Sequence, residues 1–170
     1  MIPTLRIHNL NPADGKLSAM SVRSQEHYVA QAAAIPVRKD PKTGRPQVLL
    51  IRRRDGRKWG IPKGLVDPGY SHAETAAKES FEEAGIEGVV AGKPVGEFTY
   101  DKFGGTCLVR VYVLHVTRVL EHWHEETLRE RRWFDAREAA AIAGRPAVRE
   151  LIEQAVSGAS KSGRANARVR

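Results

Sequence analysis

Residues 58–86, KWGIPKGLVDPGYSHAETAAKESFEEAGI, decide how the rest of the chain is read. The second half of this stretch carries its own helix signals. Ser71, followed three positions later by Glu74, is a capping-box pair in which hydroxyl and carboxylate satisfy orphan amide donors at a helix start. Gly85 suits the left-handed residue that stops such a helix. Between them Ala73, Ala76, Ala77, Ser80, Phe81 and Ala84 recur at helical spacing, a narrow stripe of mostly small side chains fit for close packing on a sheet. The remaining face is acidic. Glu79, Glu82 and Glu83 stand at i, i+3 and i+4, so their carboxylates share about one turn.

Like charges at that spacing cost a helix a few tenths of a kcal/mol per pair, and more where water is excluded. Two readings follow. One is a solvated acidic face. The other is a site for a hard dication, Mg²⁺ with Mn²⁺ as its alternative, because such ions prefer oxygen ligands and keep waters that can act as nucleophiles. The preceding loop, Lys58 to Gly64, entering the helix through Asp67, Pro68 and Gly69, supplies the context that separates them.

Loop and helix together resemble the Nudix family, whose signature is G-x5-E-x7-R-E-U-x-E-E-x-G-U, U being a bulky aliphatic residue. Gly64, Glu79, Glu82, Glu83, Gly85 and Ile86 fall at the required offsets. Three positions depart: Tyr70 replaces the first Glu, Lys78 the Arg, and Ser80 the aliphatic. One acidic and one basic position change together, which suggests that a supporting ion pair has been replaced, with Glu74 or Asp67 assisting. The resemblance implies an α/β fold, an α/β/α sandwich with a mixed central sheet and the Nudix loop-helix-loop. It also implies a metal centre of the Gly64 carbonyl, Glu79, Glu82 and Glu83, with Glu82 and Glu79 as catalytic residues. Which glutamate acts as the base differs between subfamilies.

The likeness extends from Tyr28 to Ala155. Val111 to Thr117, Val119 to Glu121, Trp123, Arg129, and Arg131 to Phe134 look like the branch that hydrolyses diphosphoinositol polyphosphates and diadenosine polyphosphates. The implied function is Mg²⁺-dependent cleavage of a phosphoanhydride bond in a polyphosphorylated small molecule. Eukaryotic members of that branch place several basic residues in the turn before the long strand; this chain has Lys102-Phe103-Gly104-Gly105-Thr106, which counts against inositol pyrophosphates. Alternatives are an RNA 5′ pyrophosphohydrolase, with the basic C-terminus touching nucleic acid, and a non-catalytic nucleotide-binding module, suggested by Tyr70 and Lys78.

Basic residues supply candidates for binding the anion. Lys63 borders Gly64. Arg52, Arg53 and Arg54 are either anion ligands or solvated strand-end residues, with strand alternation sending Arg53 to the face opposite its neighbours. Arg132 comes late in the domain, and Arg145 stands where relatives carry a phosphate-binding Lys. The substrate-binding set is therefore Lys63, Arg53, Arg54, Arg132 and Arg145. Trp59, Trp123 and Trp133 suit packing better than base stacking. His122 and His124 read as an exposed loop rather than a transition-metal site, and Glu125 or Glu126 could add a metal ligand from that loop.

Composition agrees with one domain. The 170 residues carry a net charge of +8, which attracts anions without selecting one. A single cysteine, Cys107, excludes a disulfide framework or a Cys-based zinc site within one chain. No apolar stretch nears the roughly 20 residues of a membrane span, and a cytoplasmic location is expected. The boundaries read as a flexible arm over 1–27, the catalytic domain over 28–156, and a disordered basic tail over 157–170. Met20, just before the ordered pattern, is a second candidate start. Strands are expected at 28–37, 47–52, 95–100, 107–116 and 132–134, and two further helices at 136–143 and 147–156.

Overall fold

A computed structural model describes residues 28–102 and 104–165, with side chains through Ser157. The expected arm over 1–27 lies outside the described residues. The fold grows from β1 (Tyr28–Lys39), whose centre, Ala32 to Ile35, is fully buried. Three consecutive alanines let both covering layers approach closely. Beside it β6 (Gly105–Val119) runs parallel, from Tyr28 opposite Thr106 to Val37 opposite His115.

The other edge of β1 is shared by two partners. Gln31 to Ala33 pair with β3 (Lys63–Leu65), and Val37 to Lys39 pair with β2 (Pro46–Arg53). On the outer edge of β6, the first half takes β5 (Gly96–Lys102) and the second half takes β4 (Ile86–Val90). β7 (Arg129–Asp135) joins β2. The result is a seven-stranded mixed sheet, ordered β4-β6-β1-β2-β7, with β3 on β1 and β5 on β6.

Because side chains alternate along strands, each face of the sheet has its own core. Ala32, Ala34, Leu49, Ile51 and Leu114 meet α1 (His72–Ala84) through Ala76 and Ala84. Ala33, Ile35, Val48, Leu50 and Val111 meet α2 (Ala136–Ile142) and α3 (Pro146–Ala165) through Ala139, Leu151 and Ile152. This is the α/β/α sandwich expected. None of the described helices is long and apolar enough to cross a membrane.

Several expectations need correction. β3 and β4 carry too little alternation to be seen in sequence; pairing with β1 and β6 creates them. The strand expected at 132–134 begins at Arg129 because β2 supplies a partner as far as Arg53. The tail expected to be disordered from Ser157 continues α3 through Ala165, since extending a nucleated helix costs little per residue. Residues 166–170 of that tail lie outside the described residues. The packing stripe of α1 is also rotated. Phe81 is 44% exposed, whereas Thr75 and Glu83 are buried.

Leu50 and Leu114 are fully or nearly fully buried on opposite faces of the sheet. Truncating either to Ala should cost about 2–5 kcal/mol in urea unfolding, with one cooperative transition retained. A loss below about 1 kcal/mol would show that the site leaves no cavity.

Candidate active site

The site begins with the entry to α1. Ser71 Oγ accepts from the Glu74 amide at 3.2 Å, and Glu74 Oε2 accepts from the Ser71 amide at 2.8 Å, the full capping box. Glu74 is thereby occupied with the cap. Of the two acids proposed to replace the missing ion pair, Asp67 is the one that reaches Lys78, at 3.8 Å. Lys78 also stands 3.8 Å from Glu79 and 3.0 Å from Glu82. A single lysine thus ties the loop to the helix, and Tyr70 is left exposed.

At the other end of α1, Gly85 adopts φ +59°, and its amide donates to the Phe81 carbonyl. A Cβ there would come within 2.5 Å of Trp123 and 2.6 Å of Arg131. These two residues cap the helix. Trp123 Nε1 donates to the Glu83 carbonyl at 3.2 Å, and Arg131 donates to the Ala84 carbonyl at 2.5 Å while stacking on Trp123. The loop between β6 and β7 is therefore fastened to the end of α1, and Glu125 is carried toward the acids. Trp133 packs in the α1-face core, and Trp59 meets Phe134 edge-on at 5.0 Å. His122 pairs with Glu126 at 3.1 Å.

Two acids of the helix turn inward onto β3. Gly64 lies so close to Glu79 that a Cβ would fall 2.1 Å from its Oε1. Glu83 Oε2 accepts from the Lys63 amide at 2.9 Å, and its Oε1 accepts from Arg129. Arg129 also donates to Glu125, so one guanidinium bridges two acids. Glu82 differs: it is about one-third exposed and held by Lys78 at the rim. The sequence places three acids on one turn; the fold buries Glu83, half-buries Glu79 and leaves Glu82 at the rim.

Burial dominates their electrostatics. The Glu83 carboxyl is pushed up to about 7 from an ordinary 4.5, chiefly because it has lost water, with Arg129 and the Lys63 amide pulling the other way. Burial likewise raises Glu79, against the pull of Lys78. Among the described residues, no three acid, histidine or cysteine side chains stand ready around one point, and Arg129 and Lys78 lie among the acids. The donor set nonetheless suits a hard dication. Two carboxylates one turn apart, Glu83 buried and Glu79 half-buried, offer oxygen ligands, and Gly64 leaves them no steric obstacle from β3.

On the other face of the sheet Lys58, Trp59, Lys63, Phe98, Arg145 and Val148 line a cavity of about 310 Å³. Lys63 therefore touches both places, its amide on Glu83 and its ammonium 2.9 Å from Tyr100 OH. Arg145 lies over the Tyr100 ring at 4.2 Å. Arg132 is exposed and lies over Phe134. Arg53, paired with Asp55, sits opposite Arg129 in the β2–β7 ladder, near Glu125 rather than the cavity. Arg54 donates to the Glu126 carbonyl and secures the β6–β7 loop. The sequence offers Arg129 only within a family pattern and a late basic group, not as a partner of the acids, and it does not mark Tyr100 or Gln31 as site residues. Only the Glu125–Arg129 spacing, i to i+4, hints at that partnership.

Residues 28–155 match the NUDIX domain. The chain belongs to the Nudix family. Among Nudix relatives, diphosphoinositol polyphosphate phosphohydrolase 2 of Rattus norvegicus is 32% identical over 142 residues, covering 80% of this chain and 75% of that protein. Nudix hydrolase 12, mitochondrial, of Arabidopsis thaliana is 28% identical over 116 residues, covering 64% and 57%. The chain spans only 52% to 58% of the length of three such plant relatives. The Nudix fold is shared with a C. elegans Ap4A hydrolase binary complex, at TM-score 0.63 and 24% identity over 79% of this chain and 98% of that one.

Two outcomes test this geometry. Gly64→Ala should drive Glu79 off β3 and abolish manganese uptake in calorimetry while far-ultraviolet dichroism stays unchanged; undiminished uptake would show that Glu79 does not need the gap. A raised carboxyl pKa means that the folded chain keeps a proton the unfolded chain has released, so stability falls as pH rises from about 4.5 to about 7. Metal-free protein should therefore melt lower at pH 8 than at pH 5, and Glu83→Gln should flatten that slope. Equal slopes in both proteins would remove Glu83 as its source.

Proposed function

We propose that this chain is a divalent-metal-dependent hydrolase that cuts a phosphoanhydride bond in a polyphosphorylated small molecule. The observation that carries this is Lys63, whose amide binds the buried acid Glu83 and whose ammonium enters a cationic cavity. One residue thus joins a place that attracts phosphate to a place that can activate water. The proposed substrate is of dinucleoside polyphosphate or diphosphoinositol polyphosphate type, in line with the names of the rat and C. elegans relatives. Only Lys102 is basic in the turn 102–106, which favours the dinucleoside class.

Glu79 and Glu83, beside Gly64, would hold the cation, Mg²⁺ or Mn²⁺. When bound, it supplies Lewis acidity and lowers the pKa of water. Glu82 lies at the rim with one-third of its side chain exposed, placed to accept a proton from a water reached through solvent. Lys63, Arg145 and Arg132 bind and orient the anion.

A second reading has its own support. Lys78 on Glu82 and Arg129 on Glu83 already neutralise two of the acids, which would suit a Nudix-fold module that binds a nucleotide without cutting it. A third, action at the 5′ end of RNA, rests on the basic residues beyond Lys161.

Dinucleoside polyphosphates, nucleoside triphosphates, inositol pyrophosphates and 5′-triphosphorylated RNA, each with Mg²⁺ and with Mn²⁺, separate these readings by phosphate release. Glu82→Gln and Glu83→Gln should each lower turnover about 100-fold or more without unfolding the domain. Full turnover in both variants refutes the assignment, and nucleotide binding without any hydrolysis selects the module. Deleting Lys161 to Arg170 should weaken cleavage of RNA alone if RNA is the substrate.

A further inference from the structure

Strand alternation places Gln31 of β1, Lys63 of β3, and Phe98 and Tyr100 of β5 on the cavity face of the sheet. Phe98 and Gln31 both stand opposite Val109, and Lys63 stands opposite Ala33, two residues beyond Gln31. The Lys63 side chain reaches back across Gln31 to Tyr100. Its Nζ donates to Tyr100 OH at 2.9 Å and to Gln31 Oε1 at 3.4 Å, and Tyr100 OH donates to the same Gln31 oxygen at 2.8 Å. Gln31 is 3% exposed, so this acceptor is fixed.

The Tyr100 ring gathers a second cation. Arg145 Cζ lies 4.2 Å from the ring centroid and Lys63 Nζ lies 5.1 Å from it. Neither cation pairs with a carboxylate among the described residues, whereas Arg52 has Glu130, Arg53 has Asp55 and Arg129 has Glu125. Two like charges drawn to one ring repel each other, and a phosphate between them would turn that cost into two charge-assisted hydrogen bonds. Both side chains line the 310 Å³ cavity.

We propose that Tyr100, locked by Gln31, is a positioning residue that sets Lys63 and Arg145 side by side as the receptor for a phosphate group of the substrate. The proposal deepens, and for its kinetic consequences rests on, the reading of the chain as a polyphosphate hydrolase. Tyr100 touches no reacting atom; it acts through the two cations.

The test uses the full chain in EDTA, with inorganic tripolyphosphate titrated by calorimetry. Wild-type protein should bind it. Tyr100→Phe, which keeps the ring, should weaken binding severalfold, and Tyr100→Leu about tenfold or more. In a Lys63→Met background, Tyr100→Phe should have no further effect, an outcome that a merely structural tyrosine would not produce. With a hydrolysed substrate, Tyr100→Phe should raise KM and leave kcat within about twofold. The proposal is overturned if wild-type protein ignores tripolyphosphate, if Tyr100→Phe binds as tightly as wild type, or if that substitution weakens binding equally with Lys63 and without it. Should Tyr100→Leu fail to fold, the phenylalanine variant and its cycle with Lys63 decide. Tyrosine-dependent uptake without hydrolysis of any compound would sink the hydrolase reading and leave this one standing. Hydrolysis with an unchanged KM in Tyr100→Phe would do the reverse.

Discussion

The contact between the Lys63 amide and the Glu83 carboxylate, 2.9 Å long, joins strand β3 to helix α1. β3 has three residues and could not persist by itself. Two constraints hold it: its ladder with Gln31 to Ala33 on one side, and the acids of α1 on the other. The same contact commits Glu83 to the interior, where it loses water and its carboxyl pKa rises. Structure and chemistry therefore use the same bond. An acid that anchors a strand is also one that asks for a cation.

The internal cations answer that demand in part. Arg129 bridges Glu83 and Glu125, and Lys78 spans Asp67, Glu79 and Glu82. Unlike a dication, each brings one charge and a fixed side-chain length. Arg129 is held there by its pairing with β2 and by Trp123 and Arg131, which cap the last turn of α1 and bring the β6–β7 loop against it. The loop is thus part of the acid site although it lies 40 or more residues away in sequence. A change in that loop is expected to act on the acids through the cap, since rigidly packed elements transmit small shifts.

The sheet separates two kinds of surface. On the α1 face, buried acids meet a backbone amide and a glycine; on the α2/α3 face, cations meet aromatic rings in a cavity. Opposite charges placed on both sides of one strand create a steep change in potential over a few ångströms. Under the proposed function, the cationic side suits a phosphate and the acidic side a cation, and Lys63, which touches both, is where the two would meet.

Much of this was legible in the residues alone. The capping box, Gly85 as the stop and the i, i+3, i+4 acids follow from local helix geometry, and the long β-branched strand from its composition, because in both cases the deciding neighbours lie within a few positions. The family offsets of Gly64, Glu79, Glu82 and Glu83 are equally local. What depended on tertiary structure is everything set by partners far apart in sequence: the strands β3 and β4, the burial of Glu83 instead of Phe81, the placing of Arg53 and Arg145 on opposite faces, and the meeting of Gln31, Lys63, Tyr100 and Arg145. A sequence fixes periodicity within an element, but rotation of a helix on its sheet and the company each charge keeps are decided only when the layers close.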